Sequence, residues 1–201
     1  MLKALSVFCG SSLGVSPAYS EAADDLADLM CEMGVTLVYG GANIGLMGHI
    51  ANRMLKNSGK VIGVITTDLE SREISHQELT ELHVVSSMHE RKSLLYKLAH
   101  GFIMLPGGPG SFEEFFEIFT WRKLGYHSKP CGILNTNGYY DHLLKFLDHV
   151  SDQGFLKKAD RQLIIEHHSV QDLMQRMRSH YNDAHDQADK QLEEANISTF
   201  C

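Results

Sequence analysis

Short apolar runs alternate with amphipathic segments along most of this chain, and that order restricts the folds open to it. Continuous apolar runs of this length are typical of strands buried on both faces of a parallel sheet. Ser16 and Pro17 predict the start of the first intervening helix, and Gly34 predicts its end. The runs are ALSVF, VTLVY, KVIGVI, LHVV, FIML, CGIL and QLII. The chain is therefore expected to form an α/β fold, a doubly wound, Rossmann-like parallel sheet of about seven strands with helices on both faces.

Length and composition favour one domain. A chain of 201 residues with 43% apolar residues can bury one sizeable core, whereas two small domains would each be marginal. We predict a single Rossmann-like domain over residues 1–180. Residues 181–201 are polar and acidic with almost no apolar period, so a frayed or disordered tail is expected there.

The overall charge excludes some partners. The formal net charge is −7, which argues against a broad nucleic-acid surface, because phosphate backbones are bound through clustered Lys and Arg. The N-terminal stretch MLKALSVFCG lacks the pattern of a signal peptide, and no apolar run reaches the length of a membrane span. We therefore expect no nucleic acid and no membrane among the partners.

The cysteines indicate a reducing compartment. Cys9, Cys31, Cys131 and Cys201 stand alone, without the CxxC spacing of a zinc site. Free thiols are typical of cytosolic proteins, so a cytoplasmic location is expected. No cluster of ligands with metal-binding spacing is apparent, and we predict no metal and no cofactor.

Three glycine-rich stretches each follow a predicted strand, at the edge where parallel sheets bind ligands. They are CGSSLG at 9–14, YGGANIGLMG at 39–48 and PGGPGS at 106–111. Glycine lets backbone N–H groups face an anion, and the following helix N-terminus adds partial positive charge. Tight turns also need glycine, and neither GxGxxG nor a P-loop is present, so the loops alone leave a structural role open.

The segment LPGGPGSFEEFFE at 105–117 allows two interpretations. Phenylalanines at i, i+3, i+4 and i+7 predict a core-facing stripe on a helix that starts near Ser111. In the first interpretation, Ser111 and Glu114 form a capping box. In the second, the glycine turn and Ser111 hold a phosphate while a glutamate acts on the attached sugar as acid, base or charge stabiliser.

A second predicted helix, SSMHERKSLLYKLA at 86–99, carries two adjacent cations near its N-terminal end. Arg91 and Lys92 work against the helix dipole there, which indicates an anionic partner. A solvated helix face is the alternative explanation.

Taken together, MHERK and PGGPGSFEE resemble the LOG family of phosphoribohydrolases, whose pattern is PGGxGTxxE with an upstream MHxRK. The resemblance extends to YGGANIGLMG, REISHQELTELHVV and LNTNGYYDHLL and covers residues 2 to about 175. It implies hydrolysis of the N-glycosidic bond of adenine-type nucleoside 5′-monophosphates, including N6-prenylated cytokinin forms. The products are the free base and ribose 5-phosphate, and many members have been labelled lysine decarboxylase.

The resemblance also implies the site residues. The family's catalytic pair falls on Arg91 and Glu114. The nucleotide-contacting positions fall on Lys92, Glu73 and Thr120. The expected phosphate- and substrate-binding positions in and directly after the glycine loop are Gly107, Gly108, Pro109, Gly110, Ser111, Phe112 and Glu113. Ser111 stands where the family usually has Thr, and Pro109 removes one backbone donor from the loop.

Two other functions remain open at this point. A nucleotide or cofactor carrier could use the same fold without turnover, because fold does not fix function. A pyridoxal-phosphate lysine decarboxylase would need a Schiff-base lysine, and the sequence singles out none. Relatives resembling this chain are homodimers or larger, so a homodimer is expected, with Trp121 and Tyr126 either at the interface or, for Trp121, in the core.

Overall fold

The computed structural model describes the backbone of residues 1–71 and 75–198. Side chains are described for the same residues up to residue 184 and for residue 186. Seven strands form one sheet. They are β1 Ala4–Phe8, β2 Thr36–Tyr39, β3 Val61–Thr66, β4 Glu81–Val85, β5 Gly101–Met104, β6 Cys131–Leu134 and β7 Ile164–His167. The helices are α1 Pro17–Glu32, α2 Gly45–Lys56, α3 Thr67–Glu70, α4 Met88–Leu98, α5 Pro109–Lys123, α6 Asp141–Asp152, α7 Lys158–Arg161 and α8 Val170–Ser198, with a 3₁₀ turn at Thr136–Gly138.

All strands pair in parallel, in the order β4-β3-β2-β1-β5-β6-β7. This confirms the predicted doubly wound, seven-stranded sheet. The strand order reverses between β1 and β5, where Leu5 pairs with Gly101 and Phe8 with Met104. In sheets of this kind the crevice outside the carboxyl ends of the strands at the reversal is the usual ligand site.

Helices cover both faces of the sheet, as the sequence predicts. Along β1, Leu5 and Val7 belong to one buried cluster and Ala4 and Phe8 to the other, because successive side chains point to opposite faces. Helices α1, α2 and α8 pack on the first face, and α4, α5 and α6 pack on the second. The inner strands are thus enclosed, which explains their continuous apolar sequences, whereas the edge strand β4 is only partly buried.

The first residue of helix α5 differs from the predicted one. It begins at Pro109, with Gly108 as N-cap, and not near Ser111. Proline suits the first helical position because its fixed φ is helical and its missing N–H would have no intrahelical partner. Ser111 therefore lies inside the first turn. The predicted phenylalanine stripe is present, with Phe115 and Phe119 buried and Phe112 and Phe116 packed beside them.

Helix α8 continues to Ser198, past residue 180 where the sequence predicts that a polar tail begins. Tyr181 is still buried against the first face of the sheet. The division into a domain and a tail stays a prediction, and residues 199–201 lie outside the described part of the chain. Across the described residues, no helix combines the length and the apolar character needed to cross a membrane.

The buried stripe of α5 generates a stability prediction. Phe115 has no exposed surface, whereas Phe155 is 85% exposed. Phe115→Ala should lower the free energy of unfolding by about 3–5 kcal/mol, because it removes buried apolar surface and leaves a cavity. Phe155→Ala is the matched control and should stay within about 0.5 kcal/mol. Urea unfolding followed by circular dichroism measures both, and equal effects would contradict the core assignment.

Candidate active site

A cavity of about 320 Å³ lies at the carboxyl edge of the sheet, beside the strand reversal. The loops after β1, β2 and β5 and the side chain of one α4 residue meet there. Its lining consists of Cys9, Ser11, Gly40, Ala42, Ile44, Met47, Leu69, Arg91, Gly108, Pro109, Gly110, Ser111 and Glu114. Residues from all three glycine-rich stretches of the sequence therefore line the same cavity.

Arg91 lines this cavity and is buried, with only 8% of its surface exposed. Its Nε donates to the Val64 carbonyl at 2.9 Å, and its Nη2 donates to the Gly40 carbonyl at 3.4 Å. These carbonyls lie within β3 and directly after β2, so the sheet itself fixes the plane of the guanidinium. The remaining Nη1 lies 3.3 Å from Oε1 of Glu114.

The close approach of the Arg91 side chain to the backbone after β2 requires a glycine at position 40. A Cβ at position 40 would collide with Nη2 of Arg91 and also approach the Sδ of Met47 at 3.4 Å. Glycine is therefore needed here for the close packing of a side chain against the backbone. The glycine-rich stretch after β2 thus serves the placement of the arginine.

Glu114 is the carboxylate partner of Arg91, and 15% of its side chain is exposed. Burial raises the pKa of this carboxyl above its ordinary value, while the positive charge of Arg91 acts in the opposite direction. The capping-box interpretation is wrong, because Glu114 faces Arg91 and α5 begins before Ser111. Burial raises the pKa of the neighbouring Cys9 thiol, with Glu114 adding to the effect, so Cys9 is held as a neutral thiol.

The N-termini of α2 and α5 both open onto the cavity without a capping side chain. Ile44 is the N-cap of α2 and Gly108 that of α5, and neither first turn contains an acidic residue. By contrast, Ser87 caps α4 by accepting a hydrogen bond from the Glu90 N–H at 3.2 Å. First-turn N–H groups have no partner within a helix, so those of α5 are available to an anion in the cavity, whereas in α2 the Leu46 N–H already donates to the Gly10 carbonyl at 3.1 Å.

In the glycine loop after β5, Gly107 is closely packed, whereas Gly108 and Gly110 face free space. A Cβ at Gly107 would collide with the Ser111 hydroxyl and lie 2.9 Å from the Gly10 nitrogen. At Gly108 and Gly110, an added Cβ would meet no atom within 4 Å. Gly107 is therefore needed for packing, whereas Gly108 and Gly110 leave free space in front of the helix N-terminus.

Two tyrosines hold the backbone of this loop. The Tyr140 hydroxyl donates to the Leu105 carbonyl and the Tyr139 hydroxyl to the Gly107 carbonyl, both at 2.7 Å. A second cavity of about 240 Å³ adjoins the loop and shares Ser11 and Gly108 with the first. The tyrosines therefore fix the strip of backbone that separates the two cavities.

Lys92 and Glu113 lie beside the cavity and do not line it. The Lys92 Nζ lies 2.6 Å from Oε1 of Glu113 and 3.1 Å from Oε2 of Glu117. The hydrogen bond to Glu113 is the main cause that raises the pKa of Lys92, with a smaller contribution from Glu117. These ion pairs join α4 to α5, the two helices that carry Arg91 and Glu114.

The other predicted contacts are more scattered. Phe112 packs edge-on against Tyr140, with 6.0 Å between ring centroids. Thr120 is exposed and donates to the Phe116 carbonyl at 2.7 Å, ~13 Å along α5 from Ser111 by helix rise. Glu73 lies outside the described residues. The structure therefore brings Arg91 and Glu114 into one cavity with the residues from Gly108 to Ser111, whereas Gly107 lines the adjoining cavity and Lys92, Phe112, Glu113 and Thr120 line neither.

Several lining and supporting residues were not identified from the sequence. Gly40 and Met47 lie in the quoted stretch YGGANIGLMG, and Tyr139 and Tyr140 lie in LNTNGYYDHLL, but neither stretch indicates which atoms meet. Ser11 belongs to the first glycine-rich stretch and lines both cavities. Within the described residues, no group of three or more His, Cys, Asp or Glu side chains could hold a metal ion.

The raised pKa of Glu114 gives a pH prediction. The folded protein retains the Glu114 proton at pH values where the unfolded chain, with its ordinary pKa of 4.5, has released it. The unfolding free energy of the wild type, relative to Glu114→Gln, should therefore fall as the pH rises from 4.5 through the raised pKa. Urea unfolding at a series of pH values measures this, with Glu21→Gln, an exposed glutamate on α1, as control. A rise in this relative unfolding free energy over the same pH range would contradict the prediction. It would mean that the positive charge of Arg91 changes the pKa of Glu114 more than burial does.

Comparison with known proteins agrees with the motifs. The family model described as possible lysine decarboxylase matches residues 47–177. A Rhodococcoides fascians protein named cytokinin riboside 5′-monophosphate phosphoribohydrolase is 45% identical over 164 residues, which are 81% of this chain and 83% of that protein. An Arabidopsis thaliana protein of the same name, LOG2, is 43% identical over 171 residues, with 85% and 80% covered.

Solved structures with the same fold are more distant in sequence. The molybdenum cofactor binding protein of Rippkaea orientalis has a TM-score of 0.67 at 17% identity and covers 89% of this chain and 97% of its own. The Moco carrier protein of Chlamydomonas reinhardtii has a TM-score of 0.68 at 16% identity, with 91% and 99% covered. At such identities the likeness concerns the fold alone. The family model and the relatives above 40% identity carry the assignment, and this chain belongs to the LOG family, whose model bears the description possible lysine decarboxylase.

Proposed function

We propose that this protein hydrolyses the N-glycosidic bond of adenine-type nucleoside 5′-monophosphates, including N6-prenylated forms, and releases the free base and ribose 5-phosphate. The observation that carries the proposal is the Arg91–Glu114 pair, buried beside an uncapped helix N-terminus in one cavity. The names of relatives that cover most of this chain support the same reaction.

The phosphate is assigned to the N-terminus of α5. Its first-turn N–H groups are free of intrahelical partners, and Ser111 adds a hydroxyl that lines the cavity. Gly108 and Gly110 leave space for phosphate oxygens to approach the backbone. Pro109 contributes no donor, so the N–H groups on either side of it and the Ser111 hydroxyl bind the anion.

Glu114, five residues beyond the start of α5, is close enough to act on the sugar of a nucleotide held in this way. Hydrolysis breaks the bond between C1′ of the ribose and a nitrogen of the base, and the two electrons of that bond leave with the base. The hydroxyl group of a water molecule is added to C1′, and the remaining proton of that water is transferred to the base. The carboxylate stabilises the positive charge that develops on the sugar and orients or deprotonates the water.

Arg91 acts on Glu114 and on the leaving base. Its Nε and Nη2 donate to carbonyls of the sheet, while Nη1 faces the Glu114 carboxylate. The arginine therefore fixes the carboxylate oxygen in position and offers a permanent positive charge to the base nitrogen as its negative charge develops.

The base is assigned to the apolar part of the cavity. Ile44, Met47 and Leu69 line that part, next to Arg91. An N6-prenyl group adds apolar surface to this contact, and a few carbons change the discrimination by about 1–3 kcal/mol. Both AMP and its prenylated form are therefore substrates, with the prenylated form favoured.

The assembly and the location are proposed from exposed side chains and free thiols. Tyr126 is 73% exposed and Leu124 57% exposed, directly after α5, which supports a homodimer contact at this end of the helix. Trp121 is partly buried edge-on against Tyr96, 5.3 Å between ring centroids, so its core role is favoured. The free thiols of Cys9, Cys31 and Cys131 are consistent with a cytoplasmic protein.

A pyridoxal-phosphate lysine decarboxylase fits these residues poorly. No lysine of the described residues lines either cavity. Lys92, on the helix that carries Arg91, is held charged by Glu113 and Glu117, whereas a Schiff base needs a neutral amine. A carrier without turnover is the second candidate, and only the shared fold of the molybdenum cofactor proteins favours it.

A direct assay separates these functions. The purified protein is incubated with AMP, N6-isopentenyl-AMP and adenosine, and free base is quantified by chromatography. We expect base from both nucleotides and little from adenosine, because a site built for phosphate leaves its donors unpaired when phosphate is missing. Nucleotide binding without base release would support the carrier. Adenosine cleaved as well as AMP would contradict the phosphate assignment.

The role of Glu114 is tested by substitution. Glu114→Gln preserves the side-chain shape but removes the charge, so kcat should fall about 100-fold or more while the protein stays folded. Glu113→Gln is the matched control, since it changes the adjacent carboxylate that faces Lys92 and not the cavity. Near-normal turnover in Glu114→Gln would leave the carboxylate only as a structural partner of Arg91.

Gly110 tests the phosphate position without disturbing the fold. Alanine at this helical position meets no neighbouring atom and should keep or raise the unfolding free energy by up to about 1 kcal/mol. Its methyl group crowds the first-turn N–H groups. Ribose 5-phosphate should therefore inhibit at least about tenfold more weakly, since one hydrogen bond to a charged group contributes ~1.5–3 kcal/mol. Inhibition by adenine is the control. Unchanged inhibition by ribose 5-phosphate would place the phosphate elsewhere.

A further inference from the structure

The loop after β2, residues 40–44, forms one wall of the cavity and also places the catalytic arginine. Gly40, Ala42 and Ile44 all line the cavity. The first carbonyl of the loop, that of Gly40, accepts a hydrogen bond from Arg91. A displacement of this loop would therefore move both the wall and one of the anchors of the guanidinium.

Residues 75–78, which precede β4, hold this loop through the backbone. Ser75 pairs with Ala42 in an isolated antiparallel bridge. The His76 N–H donates to the Gly41 carbonyl at 2.9 Å. The backbone of the loop is thus paired with this segment at Gly41 and Ala42.

The His76 ring adds a side-chain connection to the same loop. The ring is buried, with 2% of the residue exposed, and its Nδ1 accepts the Glu78 N–H at 3.1 Å. Since that nitrogen is an acceptor, the proton of the neutral ring is on Nε2, which donates to Oδ1 of Asn52 at 3.0 Å. This orients the Asn52 amide, whose Nδ2 donates to Oδ1 of Asn43 at 3.2 Å.

Asn43 has little room to move towards α2. A Cβ added at Gly48 would lie 2.7 Å from both the carbonyl carbon and the Oδ1 of Asn43, so the loop already touches the α2 backbone. The chain from His76 through Asn52 to Asn43 thus holds the loop against the helix whose N-terminus opens onto the cavity.

We infer that His76 is a positioning residue for the reaction: through Asn52 and Asn43 it holds loop 40–44, and with it Arg91, in the arrangement that the reaction needs. His76 does not line the cavity, so it acts through other residues and does not touch the substrate. The kinetic part of this inference rests on the proposed function, whereas the placement of Arg91 can be measured without it.

Two substitutions separate the functions of the two ring nitrogens. His76→Gln places an amide nitrogen near the position of Nε2 and can still donate to Asn52. His76→Asn places an oxygen near the position of Nδ1, so it keeps the Glu78 contact but cannot reach Asn52. We expect kcat to stay within about threefold in His76→Gln and to fall about tenfold to a hundredfold in His76→Asn, with a smaller change in KM, because misplaced catalytic groups mainly affect the chemical step.

Asn52→Ala provides a second variant at an exposed position, where folding is not at risk. It should lower kcat like His76→Asn. Its matched control is Asn57→Ala, which removes an exposed amide bonded to Asp28 at the other end of α2. The control should leave kcat unchanged.

Labelling with phenylglyoxal, which modifies accessible arginines, reads the placement of Arg91 directly by mass spectrometry. Arg91 should be labelled several-fold faster in His76→Asn and Asn52→Ala than in the wild type and His76→Gln. Equal kcat and equal Arg91 labelling across the set would overturn the inference. Equal impairment of both His76 variants would also overturn it, because Nε2 would then not be the connection that matters. If the wild type releases no base, the proposed function fails while the labelling still decides the inference.

Discussion

The site depends on how a buried guanidinium is compensated. Removing an arginine charge from water costs several kcal/mol unless hydrogen bonds and an opposite charge replace the water. Arg91 obtains both, from the Val64 and Gly40 carbonyls and from Glu114. These partners belong to β3, the loop after β2, and α5. Burial of this one side chain therefore fixes the relative positions of the elements that form the cavity.

The sheet topology explains why these partners can meet. Parallel pairing brings the carboxyl ends of all strands to one edge, and the reversal between β1 and β5 separates the helices that follow them. Helix α5 can then point its N-terminus into the crevice while α4 supplies Arg91 from the same layer. The Lys92 ion pairs with Glu113 and Glu117 join these two helices through residues that do not line the cavity.

Periodicity and motif together predict the fold and the centre of the site, because both are local in sequence. Seven apolar runs correspond to seven strands, and the LOG motifs identify Arg91 and Glu114. Pairing between distant side chains is not encoded locally. The sequence therefore could not indicate that Lys92 faces Glu113, or that Tyr140 bonds the Leu105 carbonyl across 35 positions. The sequence predicts a start of α5 near Ser111, which resembles an N-cap, whereas the helix begins at Pro109 because proline suits the first helical position.

Proteins named for different functions share this backbone fold, so the difference between their functions must depend on their side chains. The molybdenum cofactor proteins share the fold at 16–17% identity, whereas the phosphoribohydrolases share 38–45%. A binding site needs donors and space, which the uncapped N-terminus of α5 and the open faces of Gly108 and Gly110 provide. Bond cleavage in addition needs a charged group held away from water at the reacting atom. Under the proposed function, the buried Arg91–Glu114 pair meets that second requirement, with the pKa of Glu114 raised by burial.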